Sequence, residues 1–284
     1  MDRGVIYLLT GPSHGVRMVV SLWSLRAHFA GPITVYTTHP DSHEIGRQCA
    51  VDPRLKVEHR TCELISTRKN ASFLTKVSLL PKAPYTTNLY LDADTIPAGD
   101  VSQLWEEAEQ HEFCATRFSD WISTGRKMRK RIEQWRDFEQ DRYDLAWLEQ
   151  LVDAALQPHP AVNGGIFAFQ PTAKLLKPWF ELAMTGKNHF ICDEVALQLL
   201  LHHYPHGLVD CRFNCSPTFG KSCHDVRIWH FHGEKHIKRD NYRALWWPIY
   251  QECVINNVAN INDWGPASDR RLAGYLRSLQ KAAS

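Results

Sequence analysis

What most narrows the fold is a rhythm in the chain: short apolar runs alternate with stretches whose apolar residues recur every three or four positions. GVIYLLT (4–10) and PITVYTT (32–38) have the length and β-branched content of buried strands. Between them Met18, Leu22, Leu25 and Phe29 step at helical spacing, with Ser13 placed to cap the helix. A strand near 55–59, a helix near 71–80 and a strand at 88–92 continue the series. Such alternation predicts an α/β fold with a mostly parallel central sheet flanked by helices.

Beyond residue 94 the pattern loosens. We expect a helix at 100–110, a strand at 112–118, a helical stretch from Asp120 to about Leu156, and a strand at GGIFAFQ (164–170). Helices near 172–185 and 193–204 and strands around 207–213 and 226–232 follow, then a helical tail. No internal repeat or low-complexity linker divides the chain. The economical reading is one catalytic-size domain over 1–237, with a helical insertion at 118–160 and a C-terminal helical extension, 238–284, packed on it.

Composition excludes some classes. Lys plus Arg is 33 against 31 for Asp plus Glu, so a net charge of +2 marks neither a general polyanion binder nor an acidic tail. The N-terminal apolar run is too short for a signal-peptide core, and no window reaches the ~18 apolar residues of a membrane span. With eight cysteines and no signal peptide, the thiols are expected to be mainly reduced and the protein cytoplasmic. Cys211, Cys215, Cys223 and His224 lie close together but match no standard zinc spacing.

Chemistry concentrates in two stretches. YLDADTIP (90–97) puts Asp92 and Asp94 behind an apolar strand, where open α/β sheets bind ligands. Their i, i+2 spacing points both carboxylates one way in extended chain, and like charges so placed call for a cation between them. Oxygen ligands suit Mg²⁺ or Mn²⁺. RIWHFHGEKH (227–236) reads as a strand with His230 and His232 on one face, running into Gly233 and Lys235. An imidazole can complete a metal site begun by carboxylates, the glycine admits a phosphate to the backbone, and Lys235 or His236 offsets its charge. A separate zinc site of His230, His232 and His236 is the rival.

LTK (74–76), YLDADT (90–95), NGGIFAF (163–169), CDEVALQ (192–198) and HFHGEKH (230–236), in that order, resemble the motif series of GT-A fold glycosyltransferases. They are most similar to glycosyltransferase family 8, the group of glycogenin and bacterial galactosyltransferases, over about residues 4 to 238. The resemblance implies a Rossmann-like GT-A fold and a nucleotide-diphosphate sugar donor, usually a UDP-sugar, bridged by Mn²⁺ (or Mg²⁺). It assigns the metal to Asp92, Asp94 and His230, the nucleotide base to Thr10 and Gly11, and the donor's phosphate or sugar to Lys76. It sets Asn163, Gly164 and Gly165 beside the sugar, with Asp193 and Glu194 as the catalytic acidic pair. Gly233 and Lys235 fall to the phosphates, and Asp92 also touches the donor.

The chain departs from the family pattern twice. The lysine of the last motif is expected at 236, where His236 stands, with Lys235 one residue early. Glu194 replaces a glutamine, and an Asp-Glu pair also resembles the motif supplying the base in inverting enzymes. Retention is nonetheless the expected outcome. The acceptor is open: a glycan, lipid-linked sugar, protein or nucleic-acid hydroxyl. The basic run at 126–131 is placed to meet an acceptor bearing phosphates, and Trp246, Trp247 and Trp264 to stack on a sugar or rest on a membrane surface. Alternatives are a sugar-1-phosphate nucleotidyltransferase, for which TGPSHGVR is a poor phosphate loop, and a sugar- or nucleic-acid-binding protein without turnover.

Overall fold

The computed structural model describes residues 2–65, 70–117, 126–139, 145–157, 160–186, 192–217, 223–231, 244–268, 273–274 and 276–278. It is a mixed α/β fold whose mostly parallel seven-stranded sheet has the order β3-β2-β1-β4-β7-β6-β8, with β5 and β9 paired in a second ladder. The strands are β1 (Arg3–Leu9), β2 (Ile33–Thr37), β3 (Val57–Thr61), β4 (Thr87–Leu91), β5 (Thr95–Pro97), β6 (Phe113–Arg117), β7 (Val162–Phe169), β8 (Gly207–Val209) and β9 (Ile228–His230). The chain divides into two compact units.

One unit comprises Gly4–Cys62, Leu91–Val101 and Cys215–Ser284. Strands β1, β2 and β3 run parallel, with Val5 beside Ile33 and Ile33 beside Val57. Helix α1 (Gly15–Arg26) is buried along nearly its whole length, Val16, Met18, Val19, Val20, Leu22 and Leu25 being inaccessible. Ser13 lies in a 3-10 turn, Pro12–His14, rather than capping α1. Helix α2 (Pro40–Val51) follows β2, capped by the His39 imidazole. At the end of α1 the Arg26 guanidinium donates to the carbonyls of Leu55, Phe29, Gly31 and Lys56, a staple that satisfies loop backbone with one side chain. Helices α9 (Trp247–Ile255) and α10 (Ile261–Ser268) complete this unit. Trp246 is buried and stacks on Tyr250 at 5.0 Å, so it is a core residue and not a sugar platform.

The other unit comprises Met1–Arg3, Glu63–Tyr90 and Ser102–Asn214. It holds α3 (Ala71–Leu79), α4 (Ser102–His111), α5 (Arg126–Glu139), α6 (Leu145–Leu156), α7 (Leu176–Thr185) and α8 (Cys192–Leu200). Strand β6 pairs parallel to β8 and antiparallel to β7. Its core is aromatic: Phe167 stacks on Tyr90 at 5.0 Å and meets Trp179 edge-on at 5.3 Å. Helix α5 is docked by Trp135, fully buried, over which Gly186 leaves room: a Cβ there would collide with the indole ring.

Six cysteines are free thiols, while Cys211 and Cys223 are disulfide-bonded. The thiols are thus mainly reduced, as expected, and the sulfurs of the bonded two are not available to a zinc ion. No described helix is long and apolar enough to cross a membrane.

Candidate active site

The two acids of YLDADTIP are gathered by a short piece of antiparallel sheet. After β4 the chain turns through Asp92-Ala93-Asp94, closed by the Thr95 amide and hydroxyl on the Asp92 carbonyl at 3.2 and 2.9 Å. It then enters β5, where Thr95 lies opposite His230, Ile96 opposite Trp229 and Pro97 opposite Ile228. The Phe231 amide donates to the Asp94 carbonyl at 2.8 Å, and the His230 amide to Cys215 at 2.9 Å. Backbone pairing alone thus carries an imidazole from far along the sequence to the carboxylates.

His230 is buried, with Nε2 3.4 Å from Asp94 Oδ1 and 3.9 Å from Asp92 Oδ2. One ligand atom from each residue falls within 4.8 Å of the others, a spacing that admits one divalent ion. Two carboxylates and a neutral imidazole fit Mn²⁺ or Mg²⁺ with positions left for further oxygens. Burial by itself would raise the Asp94 carboxyl. The His230 ring, with the charges of His14 and Arg17, outweighs it and holds that carboxyl well below the usual range. Underneath, a chain of buried hydroxyls fixes β5: Tyr7 to Ser21 at 2.9 Å and Ser21 to Thr95 at 3.0 Å, with Ser24 donating to the Pro97 carbonyl at 2.6 Å.

Thr10 and Gly11 belong to the same unit, at the end of β1. The Thr10 carbonyl accepts from the Thr38 hydroxyl, and Gly11 is extended with open space where a Cβ would stand.

The second cluster lies wholly within the other unit. Where β6 and β7 pair, the register slips: Ala115 faces Phe167 and Thr116 faces Asn163, so Gly164, Gly165 and Ile166 bulge out of the ladder. A Cβ on Gly164 would approach Asp193 Oδ2 to 3.2 Å and Lys76 Nζ to 3.4 Å, so the backbone here runs close against the Lys76–Asp193 pair. Lys76, on α3, is buried; it donates to the Gly164 carbonyl at 2.7 Å and pairs with Asp193 Oδ2. The other oxygen, Asp193 Oδ1, is buried and has no hydrogen-bond partner among the described residues.

Glu194 Oε2 accepts from Asn163 Nδ2 at 2.5 Å and, more weakly, from the Gly164 amide at 3.4 Å, while Oε1 faces Arg131 at 3.8 Å. Burial, reinforced by the Asp193 charge and opposed by Arg131, pushes the Glu194 carboxyl up to about 7. Asn163 is held in turn: its Oδ1 accepts from the Gly165 amide and from Asn214, which also bonds Thr116.

The structure therefore brings Asp92, Asp94 and His230 together, and separately Lys76, Asn163, Gly164, Asp193 and Glu194. His232, Gly233, Lys235 and His236, and Trp121, lie outside the described residues. Sequence reasoning missed Asn214 and the role of Arg131. The first gave no signal, being a single polar residue between strands. The second was hidden in a basic run whose exposed members, Arg129 and Lys130, look the same in sequence.

No family model and no curated protein sequence matches this chain. Solved structures do. The galactosyltransferase LgtC, in complex with donor and acceptor sugar analogs, superposes with a TM-score of 0.58 at 11% identity, over 88% of this chain and 94% of LgtC. The glycosyltransferase GlyE of Streptococcus pneumoniae TIGR4 gives 0.58 at 14%, over 91% of this chain and 64% of that one. The bifunctional glycosyltransferase WbbM gives 0.54 at 10%, over 82% and 46%. At such identities the likeness speaks for architecture alone, and the architecture of this chain is the GT-A fold of these glycosyltransferases.

Proposed function

We propose that the chain is a metal-dependent glycosyltransferase that moves a sugar, probed first as a UDP-hexose, from a nucleotide-diphosphate donor to an acceptor hydroxyl with retention. Residues 1–237 form its catalytic domain and 238–284 an extension. The observation that carries the reading is the convergence of Asp92, Asp94 and His230, whose ligand atoms fall within 4.8 Å. The motif resemblance to family 8 points the same way.

Asp92, Asp94 and His230 would hold Mn²⁺ or Mg²⁺. When bound, the ion supplies positive charge that neutralises the departing diphosphate. The other roles belong to the chain. Thr10 and Gly11 cradle the base, and Gly233 and Lys235 meet phosphate. Lys76, already engaged with Asp193 and the Gly164 carbonyl, holds the sugar-binding carboxylate in place. Asp193 Oδ1, buried with nothing donating to it among the described residues, fits a sugar hydroxyl as its donor. Asp193 Oδ2 is occupied by Lys76, and Glu194 Oε2 by Asn163. Carboxylates so engaged suit a retaining reaction, in which the leaving phosphate takes the acceptor proton, better than one needing a protein base. A glutamine-to-glutamate variant of LgtC is described as an active-site mutant, and in this chain glutamate, Glu194, stands naturally in the acidic pair. Lys130, exposed on α5, and Arg129, which pairs there with Glu133, are offered to an acceptor that carries phosphate.

The test is incubation with Mn²⁺ and a panel of nucleotide sugars, scoring free nucleoside diphosphate and the anomeric signal of the product. Metal-dependent release that disappears in Asp94→Asn supports the proposal. Equal release by wild type and variant sinks it, as does pyrophosphate formation from a nucleoside triphosphate and a sugar phosphate, which marks a nucleotidyltransferase.

A further inference from the structure

Helix α6 packs against α5 and α8 and buries Leu148, Leu151, Val152 and Ala155, a stripe at three- and four-residue steps. Trp147 stands outside that stripe and is 40% exposed. It lines a surface pocket of about 130 Å³ together with Gln150 and Leu151 from α6, Leu200 from the end of α8, and His203 and Tyr204 from the turn that follows. That turn is fixed. Leu200 and Leu201 are buried, the Tyr204 amide donates to the Leu201 carbonyl at 3.3 Å, and His206 Nδ1 donates to the Tyr204 carbonyl at 2.9 Å. All of these residues belong to the unit that holds the Lys76–Asp193 pair.

The lining selects a class of ligand. Trp147 and Tyr204 offer flat apolar rings with a polar edge, and the exposed Gln150 and His203 offer neutral donors and acceptors around them. None of the six residues is an Asp, Glu, Lys or Arg, so a phosphate or carboxylate finds no fixed counter-charge on these walls. A pyranose ring, with an apolar C–H face and a rim of uncharged hydroxyls, answers both features. Size adds a second constraint. Pockets that enclose a whole small ligand start near ~300 Å³, so a pocket of about 130 Å³ takes one ring of a longer chain. Helix α8 carries Glu194 in its first turn and Leu200 at its end, about 9 Å further along the axis. We infer that the pocket is a secondary saccharide site, which holds one uncharged sugar ring of a glycan acceptor apart from the ring that reacts. The inference rests on the glycosyltransferase reading above and narrows its acceptor to a glycan.

The experiment is fluorine NMR of the full chain labelled with fluorotryptophan, titrated with maltopentaose, cellopentaose and galactopentaose in the absence of metal and donor. The Trp147 signal is assigned by its loss in Trp147→Ala, and thermal unfolding monitors the fold of each variant. At least one pentasaccharide is expected to shift that signal saturably. Gln150→Ala keeps the signal and should weaken the binding about fivefold, the worth of one hydrogen bond. With a nucleotide-sugar donor and Mn²⁺, Trp147→Ala should raise KM for the bound pentasaccharide more than for the matching disaccharide, a split that a merely structural tryptophan would not produce. A Trp147 signal that none of the sugars moves overturns the inference, as does a titration unchanged in Gln150→Ala or an equal rise of both KM values. If the wild type still releases nucleoside diphosphate in those cases, only the pocket's role falls. Saturable binding with no release from any nucleotide sugar keeps the sugar site and removes the parent reading, and with it the role as an acceptor subsite.

Discussion

Glu194 shows how one side chain can be chosen against its surroundings. It stands in the first turn of α8, 8% exposed, beside the carboxylate of Asp193, and its pKa rises from 4.5 to about 7. Below the lower value both folded and unfolded chains keep the proton, and the site costs nothing. Between the two values the unfolded chain ionises while the folded one does not, so stability is lost as pH rises, until the penalty levels off above about 7. The shift corresponds to a penalty on the order of 3 kcal/mol. Glu194→Gln keeps an acceptor for Asn163 and removes the titration. In urea unfolding the variant should match wild type near pH 4.5 and exceed it at pH 8; identical pH slopes would refute this. The presence of Glu194 in an acidic pair is plain in the sequence. Its attachment to Asn163 is not, because the glycine bulge that brings the two together is a property of the β6–β7 register.

At the scale of elements, β5 is the piece on which the candidate metal site depends and the piece least visible in the chain. Its three residues include a proline, so no alternation or run length marks it as a strand. Helix α2 escaped for a related reason: of PDSHEIGRQCAV only Ser42, Ile45, Gly46 and Cys49 are buried, too thin an apolar stripe to stand out. The strands with continuous apolar runs, β1, β2, β4 and β7, were legible, as was the helical character of 126–139 and 145–156. Strand β5 is held from below by hydroxyls. Thr95→Val removes the bonds to Ser21 and to the Asp92 carbonyl while keeping shape and burial. We expect a loss of about 1–2 kcal/mol in unfolding free energy and several-fold weaker Mn²⁺ binding by calorimetry. Unchanged metal affinity would separate the hydroxyl chain from the site.

Across the whole molecule, each unit carries an arginine–carboxylate clasp. In one, Arg3 grips Glu109 through two bonds of 2.7 Å. In the other, Arg54 grips Asp52, which also accepts from the Ala259 amide, while Arg54 reaches the Asn256 carbonyl and so ties down the C-terminal helices. The Arg3 hydrogen bond depresses the Glu109 carboxyl. For Asp52, burial works upward, but the bonds from Arg54 and Ala259 prevail and lower it. Depressed carboxyls contribute stability above their unfolded values and lose it as pH falls through the folded ones. Thermal unfolding midpoints should therefore drop steeply below about pH 4. Asp52→Asn should cost about 1–3 kcal/mol at pH 7 and flatten the acid limb; an acid limb as steep as the wild type's would show that the clasp is not its source.

The ladder between β5 and β9 also sets an order in time. Asp92 and Asp94 leave the ribosome well over a hundred residues before His230, whose strand delivers the imidazole. A nascent or truncated chain that stops short of β9 carries both acids and lacks the imidazole, so on the proposed reading metal capture would mark that synthesis has passed residue 230 and that β5 and β9 have paired.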